Sequence, residues 1–228
     1  MHKKNEELFS LNKECQIEEI TYGPKNHFFG FHDICPWNES EEFLLALETD
    51  LISRTPTYSD FAKIGIIDLK NNNSFHPIAE TSAWNFQQGS RQQWFPGEEK
   101  KIIFNDRIDG DLKSVLLDIN TNEKKIFNFP IYSIHPDGTF ALGVNFDRLE
   151  RTGGYGYSSP NQGIEFENVP DDDGIFKVDF LNGKVELVIP ISHVVRSMKN
   201  PINNTKNHYL THITFNNSGS RICFIHRY

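Results

Sequence analysis

The chain has 228 residues, of which 37% are hydrophobic and 13% aromatic, and its formal net charge is −8 at pH 7. This length suffices for one domain with a sizeable core. The acidic balance argues against nucleic acid or an anionic membrane surface as the main partner, because both bind basic protein faces.

Residues 1–20 are predicted to form a polar lead-in, and residues 21–228 to form the folded part. The lead-in lacks the apolar core of a signal peptide, and no stretch approaches the roughly 18 apolar residues of a membrane span. The three cysteines form no CxxC pair. We expect Cys35 and Cys223 to be buried free thiols in strands, which fits a cytoplasmic location.

A hairpin pattern occurs four times along the chain, beginning near residues 32, 89, 129 and 210. Each copy has an anchor residue, a short polar turn and an apolar strand. The anchors are Trp37, Trp94, Ile134 and Phe215. Thr, Ile and Phe favour pleated strands, whereas Asn, Ser and Gly favour turns.

A second hairpin follows each of the first three copies. Its first strand ends in an aspartate, which is Asp68, Asp118 or Asp179. Because this aspartate recurs in every copy, we interpret it as structural. Asn182-Gly183, in the third copy, is the strongest two-residue hairpin signal in the chain.

Two hairpins per repeat make a four-stranded antiparallel sheet, and such sheets in series are typical of a β-propeller. The sequence therefore predicts an all-β fold with about three and a half propeller blades. Since this number of blades cannot close a ring, we expect further C-terminal blades to be missing.

Two insertions interrupt the repeats, at residues 50–62 and 149–173. Long loops on a rigid scaffold are often functional, so we expect both to line one mouth of the propeller. The Asp171–Asp173 run is predicted to be a solvated turn, because no glycine-spaced calcium loop surrounds it. The chain has no motif for nucleotide binding, zinc proteolysis or serine hydrolysis.

The innermost strand of each blade lines the channel of a propeller, and side chains two residues apart share a face. Residues one, three or five positions before an anchor share the face that we expect to line the channel. The polar residues among them are candidate ligand-binding residues, and we expect them to converge on one channel mouth. They are His32, Arg91, Gln93, Ser133, His212 and Thr214.

His212 and Arg91 are the two candidates for catalytic roles. An arginine offers a planar fork for a carboxylate or for vicinal hydroxyls. A neutral histidine beside that cation should have a depressed pKa, which suits a base near neutral pH. A lone histidine on a strand is often structural, and the repeat pattern leaves both roles open for His212.

Two segments resemble the seven-bladed propellers of oligogalacturonate lyases and their TolB-like relatives. They are Asn-His-Phe-Phe-Gly-Phe-His-Asp-Ile-Cys-Pro-Trp at residues 26–37, and Leu-Thr-His-Ile-Thr-Phe-Asn-Asn-Ser-Gly-Ser-Arg-Ile-Cys-Phe-Ile-His at residues 210–226. The start at Tyr22-Gly-Pro-Lys and the final His226-Arg227-aromatic run are similar to an uncharacterised bacterial branch. The resemblance covers about residues 20–228.

Those lyases cleave uronate chains by β-elimination, in which a base removes the proton α to the carboxylate and a cation stabilises the resulting charge. The resemblance implies His212 as the base, and manganese as a cofactor whose ligands lie beyond Tyr228. The family's catalytic arginine falls near residues 174–179, where this chain has none, so Arg91 is the candidate substitute.

Two functions remain open at this point. The chain is expected to be a carbohydrate-related binding or scaffold module, with a carbohydrate or protein ligand at the channel mouth. The alternative is a metal-assisted polysaccharide lyase acting on uronate oligosaccharides in the longer protein. Fold alone does not decide between them.

Overall fold

The computed structural model describes residues 17–160, 163, 165–198 and 207–228. These residues form three four-stranded sheets and one two-stranded sheet, which we call blades one to four. Blade one contains β1 (Asn26–Phe28), β2 (Phe43–Thr49), β3 (Ala62–Asp68) and β4 (Ser74–Thr81). Blade two contains β5 (Gln93–Phe95), β6 (Glu98–Ile108), β7 (Asp111–Asp118) and β8 (Lys124–Phe127).

Blade three contains β9 (Ser133–Ile134), β10 (Phe140–Val144), β11 (Gly174–Asp179) and β12 (Val185–Pro190), and blade four is the hairpin of β13 (Tyr209–Phe215) and β14 (Ile222–Arg227). Of two short helices, α1 (Phe146–Gly153) lies between β10 and β11 of blade three, and α2 (Ile191–Arg196) follows β12 and precedes blade four. Among the described residues no helix is long and apolar enough to cross a membrane.

Within every blade the strands pair in sequence order and run antiparallel. Consecutive blades pack face to face, because alternate residues of one strand enter different cores. Ile102 of β6 packs with Leu45 and Leu47 of blade one, whereas its neighbour Ile103 packs with Ala141 of blade three. The predicted all-β class and the predicted three and a half β-propeller blades are confirmed.

The recurring aspartates have the structural role that the repeat predicts. Each accepts hydrogen bonds from the two backbone N–H groups that lie two and three residues further on. For Asp118 the donors are Asn120 and Thr121, at 2.9 and 3.0 Å. Asp68 and Asp179 repeat this arrangement. The carboxylate thereby fixes the turn between the third and fourth strands of each blade.

The prediction that Cys35 and Cys223 are buried is wrong, since both thiols are exposed. Cys35 lies outside the strands, in the segment that joins β1 to β2. On β14 the side chain of Phe224 packs against the core of blade three, so its neighbour Cys223 points to the opposite face. Cys15 lies outside the described residues.

The two insertions lie at the same end of blades one and three, because each joins the second strand of its blade to the third. The second begins with α1, so part of the predicted 149–173 loop is helical. Only two members of its acidic run are solvated. The third, Asp173, is buried and forms an ion pair with Arg148, with 2.7 Å between Oδ2 and Nε.

Candidate functional site

The inner strand of blade one is interrupted where the candidate His32 lies. Phe28 pairs with Leu47 and Trp37 bridges to Leu44. The segment of residues 29–36, which we call the inner loop, therefore faces only the two intervening residues of β2. This excess of chain has to leave the sheet, and it carries His32 and Asp33 away from the regular ladder.

Arg91 is one of the most deeply buried residues of the protein, with 1% of its surface exposed. Its Nη1 and Nη2 donate to the two carboxylate oxygens of Asp33, both at 2.9 Å. Its Nε and Nη2 also donate to the backbone oxygen of Tyr132, at 2.9 and 2.6 Å. The guanidinium carbon lies 4.0 Å from the centre of the Tyr132 ring.

The guanidinium of Arg91 is therefore engaged by groups of the protein itself, namely the Asp33 carboxylate and the Tyr132 backbone oxygen. The backbone φ of Arg91 is +54°, a left-handed conformation that residues other than glycine rarely adopt. The period-two alternation assumed for the inner strands therefore does not hold at Arg91. The side chain crosses from blade two to the inner loop and binds Asp33, a residue that the alternation did not identify.

His212 occupies the equivalent position of blade four and has the same left-handed backbone conformation as Arg91. Its φ is +56°, and the pairing of β13 with β14 shifts register between Thr211 and Thr214. The imidazole lies edge-on to two rings, with centroid distances of 5.1 Å to Phe31 and 6.2 Å to Tyr155. Its Nδ1 lies 3.1 Å from the Thr211 hydroxyl.

Phe31 connects His212 to the inner loop, because its ring also lies 4.2 Å from that of His32. The structure thus brings three candidates, His32, Arg91 and His212, into one group with residues that they contact. We call this group the inner cluster. It consists of Phe31, His32, Asp33, Arg91, Tyr132, Tyr155 and His212.

Burial lowers the pKa of His212, and electrostatic interactions with Arg227, His32 and Arg91 lower it further, whereas Asp33 acts in the opposite direction. The imidazole is therefore held neutral near pH 7. Burial also raises the pKa of the Tyr132 hydroxyl, which stays protonated.

The other three candidates have different places. Gln93 adjoins the inner cluster, since its Nε2 donates to the backbone oxygens of Arg91 and Tyr132 at 2.9 and 3.3 Å. Ser133 is half-buried opposite Leu142, and Thr214 is exposed opposite Cys223. In the part of the chain that the structure describes, no hydrogen bond or ion pair joins Ser133 or Thr214 to the inner cluster.

Tyr155 reaches the inner cluster from the insertion of blade three. The loop that joins blade one to blade two holds its backbone, since the side-chain amides of Asn85 and Gln88 donate to the Tyr155 oxygen at 3.2 and 2.7 Å. Asn85 also donates to the oxygen of Gly156 at 2.6 Å. Sequence reasoning predicted this insertion as a wall of the site but did not single out Tyr155.

A cavity of about 600 Å³ adjoins the cluster on the face of blade one that points away from blade two. His32 is among its lining residues, together with apolar side chains such as Leu44, Ala46 and Ile67. The imidazole of His32 therefore adjoins both this cavity and the ring of Phe31.

The described residues do not form a site that fits a manganese ion. Within the described ranges there is no group of three or more His, Cys, Asp or Glu side chains that could hold a metal ion. The described part of the chain does not provide the ligand set that the lyase resemblance implies.

Comparisons with known proteins give a similarity to solved structures but not to a family model. No family model matches the chain, and no curated protein matches it. The crystal structure of TolB from Acinetobacter baumannii is similar over 91% of this chain, with 15% sequence identity and a TM-score of 0.46. The chain spans only 39% of the length of that protein. The propeller assignment rests on the sheet topology described above.

Proposed function

We propose that the chain is the ligand-binding portion of a β-propeller, and that an oligosaccharide binds at the inner cluster. The observation that carries this proposal is the half-buried imidazole of His212, held in a left-handed backbone conformation between the rings of Phe31 and Tyr155. Blades one, three and four all contribute to its surroundings, as they would at a channel mouth.

The backbone strain supports a functional role for this position. The other non-glycine residues with positive φ are Glu41, Asn72, Asn73, Asp109 and Asn122, and all of these lie in turns between strands. Only Arg91 and His212, among the described residues, adopt such a φ beside an inner strand or within it. A left-handed residue costs on the order of 1–3 kcal/mol, and such strain clusters at ligand sites.

The chemistry of the cluster suits a sugar. Tyr155 supplies aromatic surface, whereas His32 and the adjoining Gln93 supply hydrogen-bonding groups that can orient hydroxyls. In this proposal Arg91 is a positioning residue, because its fork holds the carboxylate of Asp33 at the inner loop. Asp33 then presents the outer lone pairs of its oxygens to the ligand.

Isothermal titration calorimetry of the purified chain with trigalacturonate tests the proposal. We expect measurable binding to the unaltered protein and loss of at least about 10-fold in affinity for His212→Ala, the size expected when a buried polar contact is removed. His76→Ala is the matched control, since His76 is exposed on the outermost strand of blade one. Equal binding by both variants would refute the assignment of the site.

The lyase alternative is favoured by one specific observation, the lowered pKa of His212. A neutral imidazole can take the proton from the carbon next to the uronate carboxylate. The carbon–oxygen bond at the β position then breaks and a carbon–carbon double bond forms, with the sugar oxygen as leaving group. The longer protein, supplied with manganese, should release product with the ultraviolet absorbance of an unsaturated uronate. His212→Ala should release none, and undiminished release would exclude His212 as the base.

A further inference from the structure

A pair of histidines lies outside the inner cluster, where blade four meets the insertion of blade three. His208 Nδ1 lies 2.9 Å from His226 Nε2, and the two rings stack with their centroids 5.1 Å apart. The ring of Tyr228 lies 5.5 Å from that of His208 and 6.0 Å from that of His226. Because His208 is fully buried and His226 half-buried, the two imidazoles meet in a site that is largely closed to water.

The contact between the two rings joins separate parts of the chain. His226 belongs to β14, where it pairs with Leu210 of β13. The backbone N–H of His208 donates to the oxygen of Asn168 in the insertion at 3.1 Å. The backbone oxygen of His208 accepts from Nη1 of Arg148, on α1, at 3.2 Å. The histidine pair therefore ties β14 to α1 and to the insertion of blade three.

The charged groups around the pair do not favour a positive charge on His226. Arg148 reaches the pair from α1, and its ion pair with Asp173 of the insertion balances its own charge. Arg227 is the next residue of β14. Within the described ranges no carboxylate forms an ion pair with His226. Burial lowers the pKa of the His226 imidazole, and the electrostatic interaction with His208 lowers it further.

Proton uptake by His226 should weaken this contact. A hydrogen bond between two neutral imidazoles needs a donor nitrogen on one ring and a bare nitrogen on the other, whereas a protonated ring has only donors. Because the pKa of folded His226 is lowered, the neutral pair contributes its full stability above the ordinary pKa of a histidine. That contribution is lost as the pH falls through the pKa of folded His226.

We propose that the His208–His226 pair is an acid-sensitive latch, which holds β14 against the insertion at neutral pH and releases it when His226 takes up a proton. The latch adjoins the inner cluster through Arg227, whose Nη1 donates to the hydroxyl of Tyr155 at 2.9 Å. Release of β14 withdraws Arg227 from Tyr155, and so couples pH to one wall of the inner cluster. The latch belongs to the chain itself and does not depend on which ligand binds.

Hydrogen exchange of the purified chain tests the latch when it is measured at about pH 7.5 and about pH 5 and corrected for the intrinsic effect of pH on exchange. The protection of the β14 amides that pair with β13 should fall at the lower pH. We expect a loss of up to roughly 10-fold for each unit by which the pKa of folded His226 lies below its unfolded value. The amides of β2 and β3 should lose less protection, because they lie in another blade.

Two variants separate His226 from the other titrating groups. His226→Gln keeps a hydrogen-bonding side chain but does not titrate, so its β14 protection should be the same at both pH values. His193→Gln is the matched control, because His193 is exposed on α2, and it should keep the full response to pH.

Nuclear magnetic resonance of the His226 ring gives a check that needs no variant. In the unaltered chain the ring should titrate over the same pH range in which β14 loses protection. A titration at a different pH would overturn the latch. Unchanged β14 protection in the unaltered chain, or an equal fall in the unaltered chain and in His226→Gln, would also overturn it.

Discussion

Replacement of Arg91 by alanine should lower the free energy of unfolding by about 3–5 kcal/mol, the usual cost of removing one partner of a buried ion pair. Arg91 is almost fully buried, and the side chain of its partner Asp33 is only 12% exposed. Without the guanidinium, the Asp33 carboxylate loses both of its Arg91 donors, and the backbone oxygen of Tyr132 keeps only the longer hydrogen bond from Gln93. Urea denaturation followed by circular dichroism measures the change.

A double-mutant cycle separates the energy of the Arg91–Asp33 ion pair from the energy that each side chain contributes by packing. Asp33→Ala should also be strongly destabilising, because it leaves a buried cation without its anion. The double variant should be less destabilised than the sum of the two single variants. Arg54→Ala is the control, since Arg54 makes a similar two-pronged contact with Asp60 but is half exposed. Additive effects of Arg91 and Asp33 would contradict the pairing.

Arg148→Ala should destabilise the protein by a similar amount, about 3–5 kcal/mol. Arg148 binds Asp173 through Nε at 2.7 Å and donates to the backbone oxygens of His208 and Glu167 at 3.2 and 2.9 Å. These contacts tie α1 to the end of the insertion and to the segment leading into β13. Because Tyr155 belongs to this insertion, we also expect weaker trigalacturonate binding.

The control for this second variant lies in the same region. Arg196 forms an ion pair with Asp171, but the two side chains are 67% and 79% exposed, so Arg196→Ala should have a much smaller effect on unfolding. Urea denaturation of both variants gives the comparison. Equally small losses of unfolding free energy in Arg148→Ala and Arg196→Ala would contradict the claim that the buried Arg148–Asp173 pair stabilises the insertion.

The blades could be predicted from the sequence because their determinants are local. The hairpin turns depend on Asn, Gly and Asp at fixed offsets, and the cores depend on strict alternation along each strand. Asp118 and its two counterparts recur because each closes the same turn. The exposure of Cys35 was missed because nothing in its apolar surroundings indicates that residues 29–36 leave the sheet.

The candidate site was only partly predictable. Counting positions in the repeat selected His32, Arg91 and His212, but it gave no reason to expect left-handed backbone at Arg91 and His212, since tertiary contacts select that conformation. The partners Asp33, Tyr155 and Arg227 come from segments far apart in sequence. The signal that pointed to Tyr155 was the length of its insertion, and the roles of all these residues stay predictions.

Nuclear magnetic resonance of the histidine rings during a trigalacturonate titration tests the central claim most directly. In the free protein the pKa of His212 should lie below its ordinary value. A bound carboxylate stabilises the imidazolium, so the ligand should raise that pKa, and the His32 ring should shift with it. The exposed His76 and His193 should not respond. An unchanged His212 signal at saturating ligand, or equal shifts of all four rings, would contradict a ligand site at the inner cluster.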